Sequence, residues 1–152
     1  MGYDYLWTDG TNKDFAAFSQ CMEAYYNKIV GGIENRKSFV PYNSLADIHD
    51  VLIVYDQASP VACAAFKEYD ALRAEIKRVW VSEPYRGRHI SKEMMGMIEH
   101  RAKEKGYEKV ILQTREACIE AVALYKAIGY ERIENYPPYD KMELAVCYGK
   151  DL

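Results

Sequence analysis

Residues Trp80–Met95 read WVSEPYRGRHISKEMM, and the fold turns on how this junction is read. An apolar run ends at Glu83-Pro84, because proline has no N–H to give to a strand ladder. Two arginines and a glycine then lead into residues with helical character. The first turn of a helix leaves several N–H groups without intrahelical partners, all at the positive end of the helix dipole. Gly87 lets the backbone approach a ligand closely, and Arg86 and Arg88 add charge-assisted hydrogen bonds. A pyrophosphate suits such a point; a solvated basic loop is the plainer alternative. Neither G-x-x-x-x-G-K-[ST] nor G-x-G-x-x-G is present, which argues against a mononucleotide P-loop and a dinucleotide fold.

Working outward, Ile90, Met94, Ile98 and Ala102 recur at every fourth position, with Met97 beside them. Lys103, Lys105 and Gly106 then stand where a helix C-terminus favours cations and a glycine. Val110-Ile111-Leu112 is a short apolar strand, so the helix crosses between two parallel strands. Upstream, Val51–Tyr55, Val61–Phe66 and the run 71–81 are separated by the turn-like segments 56–60 and 68–70, which predicts an antiparallel meander. Tyr3–Trp7 reads as a strand and Asn12–Lys28 as an amphipathic helix carrying Phe15, Phe18, Met22 and Tyr26 on one face. Gly31-Gly32 and Pro41 bracket a segment expected to be a short helix or loop. Downstream, a helix over Ile119–Ile128 stops at Gly129, and Arg132-Ile133 and Leu144–Tyr148 close the chain as strands. The expected fold is mixed α/β: one domain, 1–152, with a twisted, mostly antiparallel sheet of about seven strands, helices on both faces and a central β-α-β crossover.

Composition narrows the function. The 20 Lys+Arg against 23 Asp+Glu give a net charge of −3, which supplies no field for nucleic acid or an acidic membrane. No apolar run approaches a bilayer span, and Met1-Gly2-Tyr3-Asp4 has neither the basic nor the apolar part of a signal peptide, so a cytoplasmic protein is expected. Cys21, Cys63, Cys118 and Cys147 are scattered without a C-x-x-C pair, which argues against a metal site or a disulfide framework and for reduced, mostly buried thiols.

Three segments carry a family resemblance. AEIKRVWVSEPYRGRHISKEMM (74–95), YEKVILQT (107–114) and IEAVALYKAIGYERI (119–133) resemble the fourth strand with its pyrophosphate loop, the fifth strand, and the A-x-x-L-Y helix of the GNAT superfamily of acetyl-CoA-dependent N-acetyltransferases. The family's loop pattern is Q/R-x-x-G-x-G/A; here Arg86 begins it, while His89 and Ser91 stand at the two small positions. Cys118 stands where many relatives carry Asn or Gln near the pantetheine arm.

The resemblance implies a reaction and a set of roles. The chain would move the acetyl group of acetyl-CoA to a primary amine of a small molecule or peptide by direct attack in a ternary complex, without a metal. A lysine-type amine has a pKa of about 10.4, so a proton acceptor is needed near neutrality. Glu75 matches the family's fourth-strand base; the alternative is a surface carboxylate paired with Lys77 or Arg73. Backbone N–H groups around Val79, Trp80 and Val81 would face the thioester oxygen, and Tyr125 would protonate the leaving thiolate. The cofactor-binding set is Val79, Trp80, Val81, Arg86, Gly87, Arg88, His89, Ile90, Ser91, Cys118 and Tyr125. Gln113 stands where some relatives place a second carboxylate, leaving Glu75 to act alone. Tyr26, Tyr42, Tyr136 and Tyr139, with Tyr25, Asn43, Pro137 and Pro138 nearby in sequence, are candidates for the acceptor pocket, although in so tyrosine-rich a chain ordinary core and surface packing is the stronger account. The alternative from another class is a non-catalytic acyl-CoA-binding sensor, against which the retention of both Glu75 and Tyr125 speaks. Either a monomer or a homodimer paired through the C-terminal strand fits the sequence.

Overall fold

The structure, a computed structural model, is described over residues 2–29, 45 and 47–152. Tyr42, Asn43 and the segment bracketed by Gly31 and Pro41 lie outside the described residues. Within them the chain runs β1 (Asp4–Thr8), α1 (Lys13–Ile29), β2 (Asp50–Asp56), β3 (Ser59–Glu68), β4 (Arg73–Val81), a single 3-10 turn (Glu83–Tyr85), α2 (Ile90–Glu104), β5 (Lys109–Thr114), α3 (Ile119–Ala127), β6 (Glu131–Ile133) and β7 (Val146–Asp151). The strands form one seven-stranded sheet in the order β1-β2-β3-β4-β5-β7-β6. Every neighbouring pair is antiparallel except β4 and β5. The expected mixed sheet and its crossover are therefore present, and the parallel pair is the one that α2 connects.

The two faces of the sheet are sorted by strand alternation. In β2, Leu52 and Val54 join the core built by Met94, Met95, Ile98 and Ala102 of α2. Val51 and Ile53 join Phe15, Phe18 and Met22 of α1 on the other face. A strand covered on both sides has no polar face to show, which is why β2 reads as an unbroken apolar run. Burying each Met or Ile of α2 contributes about 1.5–3 kcal/mol. The helix is also pinned at its C-terminal end: Arg101 Nε and Lys105 Nζ donate to the buried Asp50 carboxylate at 3.0 and 2.6 Å. Past that end Gly106 takes φ 98°, and the Tyr107 N–H returns to the Ala102 carbonyl, as a glycine-terminated helix requires.

The last strand begins later than its sequence suggested. Leu144 is exposed, and the Ala145 N–H donates to the Met142 carbonyl, so the residues ahead of Val146 form a turn instead of pairing with β5.

One irregularity in β4 decides where a ligand can enter. Cys63 lies opposite Trp80 and Ala65 opposite Lys77, so three residues on β3 face four on β4. That is a β-bulge, and Arg78 occupies it at φ 57°. The Cys63 thiol donates to the Arg78 carbonyl at 3.3 Å. On the other side, β4 pairs with β5 only through Arg73–Glu75 against Lys109–Ile111. Beyond Glu75 the two strands diverge.

Candidate acetyl-CoA cleft

The divergence opens a cleft of about 280 Å³ between the outer halves of β4 and β5, floored by Ile76–Val81 and Leu112–Thr114. Tyr25 and Tyr26 of α1 wall one side and Leu124, Tyr125 and Cys118 of the α3 region another. The start of α2 closes one end with Arg86, Gly87, His89, Ile90 and Ser91. The pairing of β4 with β5 stops at Glu75, and a ligand that inserts as a strand would lie in the gap beyond it.

The loop ahead of α2 is shaped by two left-handed residues, Gly87 at φ 79° and His89 at φ 64°. A Cβ added at Gly87 would meet nothing within 4 Å, so the position needs glycine for its backbone angle more than for room. His89 is the N-cap of α2 and makes no side-chain cap hydrogen bond, leaving the first-turn N–H groups to whatever anion lies in front of them. Ile90 is 2% exposed and packs into the core, so only its backbone serves the cleft. The two arginines part company. Arg86 donates from Nε to the Val81 carbonyl at 2.8 Å and lays its guanidinium over Trp80, 4.8 Å from the ring centre. Arg88 turns instead to Tyr85, 5.0 Å from that ring centre, and alone of residues 86–91 does not line the cleft.

Tyr125 is buried in the cleft wall, and burial, followed by the neighbouring Tyr26 and Cys118, pushes its phenol pKa well above the ordinary value. It therefore stays protonated across the physiological range, as a proton donor must. Glu75 is 4% exposed and is the last β4 residue paired with β5; it does not itself line the cleft, whose β4 lining begins at the next residue, Ile76. Glu75 Oε2 accepts from Tyr136 at 2.7 Å, and Lys77 Nζ approaches Oε1 at 3.9 Å. Arg73, the other partner suggested by sequence, is bound to Asp70 at 2.6 Å. Glu75 is thus a buried group and not a surface carboxylate.

The acceptor tyrosines divide. Tyr26 reaches the cleft; Tyr136 and Tyr139 do not. They pack with Ile111, Ala145 and Cys147 in a separate cluster beneath Glu75, their rings 5.6 Å apart. Burial first, and then the adjacent Glu75 charge, raise the Tyr136 phenol pKa far above normal, so its hydroxyl serves as a fixed donor to the carboxylate. Gln113 lines the cleft with its side-chain amide donating to the Thr114 carbonyl at 2.8 Å. Among the cleft residues not legible as such beforehand are Lys77, which sequence offered only as an ion-pair partner, and Arg78, bonded to Glu23 of α1 at 3.0 Å. Their signal was two adjacent cations inside an otherwise apolar strand. Among the described residues no three His, Cys, Asp or Glu side chains gather as metal ligands, and no helix is long and apolar enough to cross a membrane.

The family model described as Acetyltransferase (GNAT) family matches residues 5–130. The chain belongs to the GNAT acetyltransferase family. This GNAT chain is 30% identical over 96 residues to the Xenopus tropicalis protein named Probable N-acetyltransferase 14, covering 62% of this chain and 47% of that one. It spans between 29% and 61% of the length of such curated relatives. In structure it is similar to a Klebsiella pneumoniae protein described as an acyl-CoA N-acyltransferase, with a TM-score of 0.82 at 22% identity over 99% of this chain and 97% of the other. It is also similar to a GNAT acetyltransferase of Elizabethkingia anophelis with acetyl-CoA bound, with a TM-score of 0.63 at 16% identity over 74% and 82% of the two chains. The mixed, mostly antiparallel sheet of this chain thus matches the fold of these structures.

Proposed function

We propose that this protein is an N-acetyltransferase that passes the acetyl group of acetyl-CoA to a primary amine of a small molecule or peptide, by direct attack while both are bound. The observation that carries the reading is the splay of β4 from β5, which joins an anion-receptive helix start to a buried tyrosine and, at its foot, a buried carboxylate. A structural neighbour that holds acetyl-CoA supports the choice of acyl donor.

The residues fit the donor. First-turn N–H groups of α2 and the loop at Gly87–His89 face the pyrophosphate, while the outer half of β4 hydrogen-bonds the pantetheine arm as a missing strand would. Backbone N–H groups around Val79–Val81, set by the bulge, receive the negative charge that develops on the carbonyl oxygen. Glu75 takes the proton shed by the amine, through water where the two are not in contact, and Tyr125 gives its proton to the departing thiolate. Holding both reactants in one cleft removes much of the entropic barrier. The test is release of free thiol from acetyl-CoA against a broad panel of amines, alongside thermal unfolding with and without acetyl-CoA. Acceptor-dependent thiol release is expected. A melting temperature that saturating acetyl-CoA leaves unmoved would refute the reading.

A further inference from the structure

Lys77 is a mostly buried cation in the wall of the cleft. It sits in β4 immediately before the bulge, opposite the small Ala65, and its side chain is 12% exposed. It lines the same cleft as Val79, Trp80, Cys118 and Tyr125. Its ammonium lies 3.9 Å from the Glu75 carboxylate, the group positioned to accept a proton from an amine. Burial pulls its pKa below that of an ordinary lysine, with Glu75 opposing the shift and Lys67 and Arg78 adding to it. Lys67, its neighbour across the strands, is bound to Asp47 at 3.0 Å and does not line the cleft.

We propose that Lys77 is itself an acetyl acceptor, so that the protein acetylates its own β4 strand when acetyl-CoA is bound and no better amine fills the cleft; this rests on the acetyltransferase reading above. In the step, neutral Nζ attacks the thioester carbonyl carbon, the N–C bond forms and the C–S bond breaks. The ammonium loses two protons: the first passes through Glu75 to solvent before the attack, and the second, shed by the nitrogen once the N–C bond has formed, returns through water to Tyr125 and replaces the proton that Tyr125 gives to the thiolate. The products are an acetyl-lysine in β4 and CoA, with no oxidant or further reactant required.

The experiment is to incubate the full chain with acetyl-CoA and no added amine, then measure intact mass and map the modified peptide. One added acetyl group is expected, at Lys77, forming at a rate independent of protein concentration and about tenfold or more faster than at any exposed lysine, as a reaction within one molecule should. Lys77→Arg keeps the cation and should abolish the label, while acetyl-CoA still raises the melting temperature. If acetyl-CoA raises the melting temperature of the native chain and Lys77 stays unmodified, or the label spreads over surface lysines, the inference is wrong and the acetyltransferase reading stands. If acetyl-CoA does not bind at all, both fall. Should Lys77→Arg fail to fold, mapping on the native chain decides alone.

Discussion

The two ends of β4 hold tyrosines in similar burial but opposite circumstances. At the closed end Tyr136 points its hydroxyl at Glu75, 2.7 Å away, inside a cluster with Tyr69, Tyr139 and Ile111. At the open end Tyr125 is equally enclosed, yet its surroundings are a cleft. Burial drives both phenols to hold their protons. What separates them is the surroundings of the ring: the Tyr136 hydroxyl is committed to a carboxylate, while Tyr125 lines the cleft. Burial and residue type therefore do not assign a role by themselves; the position relative to the splay does.

The comparison can be broken most severely at Glu75, where the two ends meet. Glu75→Gln keeps an acceptor for Tyr136 but removes the proton sink, so kcat/KM at neutral pH should fall by about 10²- to 10⁴-fold. Acetyl-CoA binding should persist, and the rate should recover in part as pH climbs toward the acceptor's pKa of about 10.4, where solution supplies the neutral amine. Pre-steady-state and pH–rate measurements check this; equal loss at every pH, tracking a lower melting temperature, would make Glu75 a structural group only.

Tyr125→Phe tests the open end. It keeps the ring and removes the donor, so kcat should drop by about 10²-fold while melting temperature and acetyl-CoA affinity hardly change. Gly87→Val acts on the loop proposed to meet the phosphates. A β-branched residue at a positive φ is strained by about 1–3 kcal/mol, so the loop should leave its receptive shape. The stabilisation of about 2.7 kcal/mol expected at a hundredfold excess of acetyl-CoA over Kd should then vanish from the thermal unfolding curve.

Tyr136→Phe tests the closed end and should show the smallest effect on activity. Losing a buried hydrogen bond to a carboxylate costs about 1–3 kcal/mol of stability, visible in chemical denaturation, with kcat/KM reduced by less than about tenfold. Opposite signatures for the two phenylalanine variants, activity for one and stability for the other, sharpen the comparison; matching signatures erase it.

Much was legible because it is local in the chain. The fourfold spacing from Ile90 to Ala102, the hairpin turns and the run Arg86–Ser91 are written in neighbouring residues, so helix, meander, crossover and loop follow from period and turn chemistry alone. Tyr125 and Cys118 were legible for the same reason, being carried on one short helix motif. The bond between Tyr136 and Glu75 was not, since it joins residues 61 apart in sequence and depends on how the segment between β6 and β7 folds under β4. Nor was the direction of each β4 side chain. Strict alternation from Ala74 and Ile76 would have put Arg78 and Trp80 on the α2 face; the bulge at Arg78 resets the phase, so that Val79 and Val81 join the α2 core and Trp80 packs with α1. The sequence by itself determined most of the elements, their order and the place of the loop ahead of α2. Only the tertiary structure decided which side chains meet at the cleft, because a side chain's direction past a bulge, and its burial, are set by the neighbouring strand and by what packs over it.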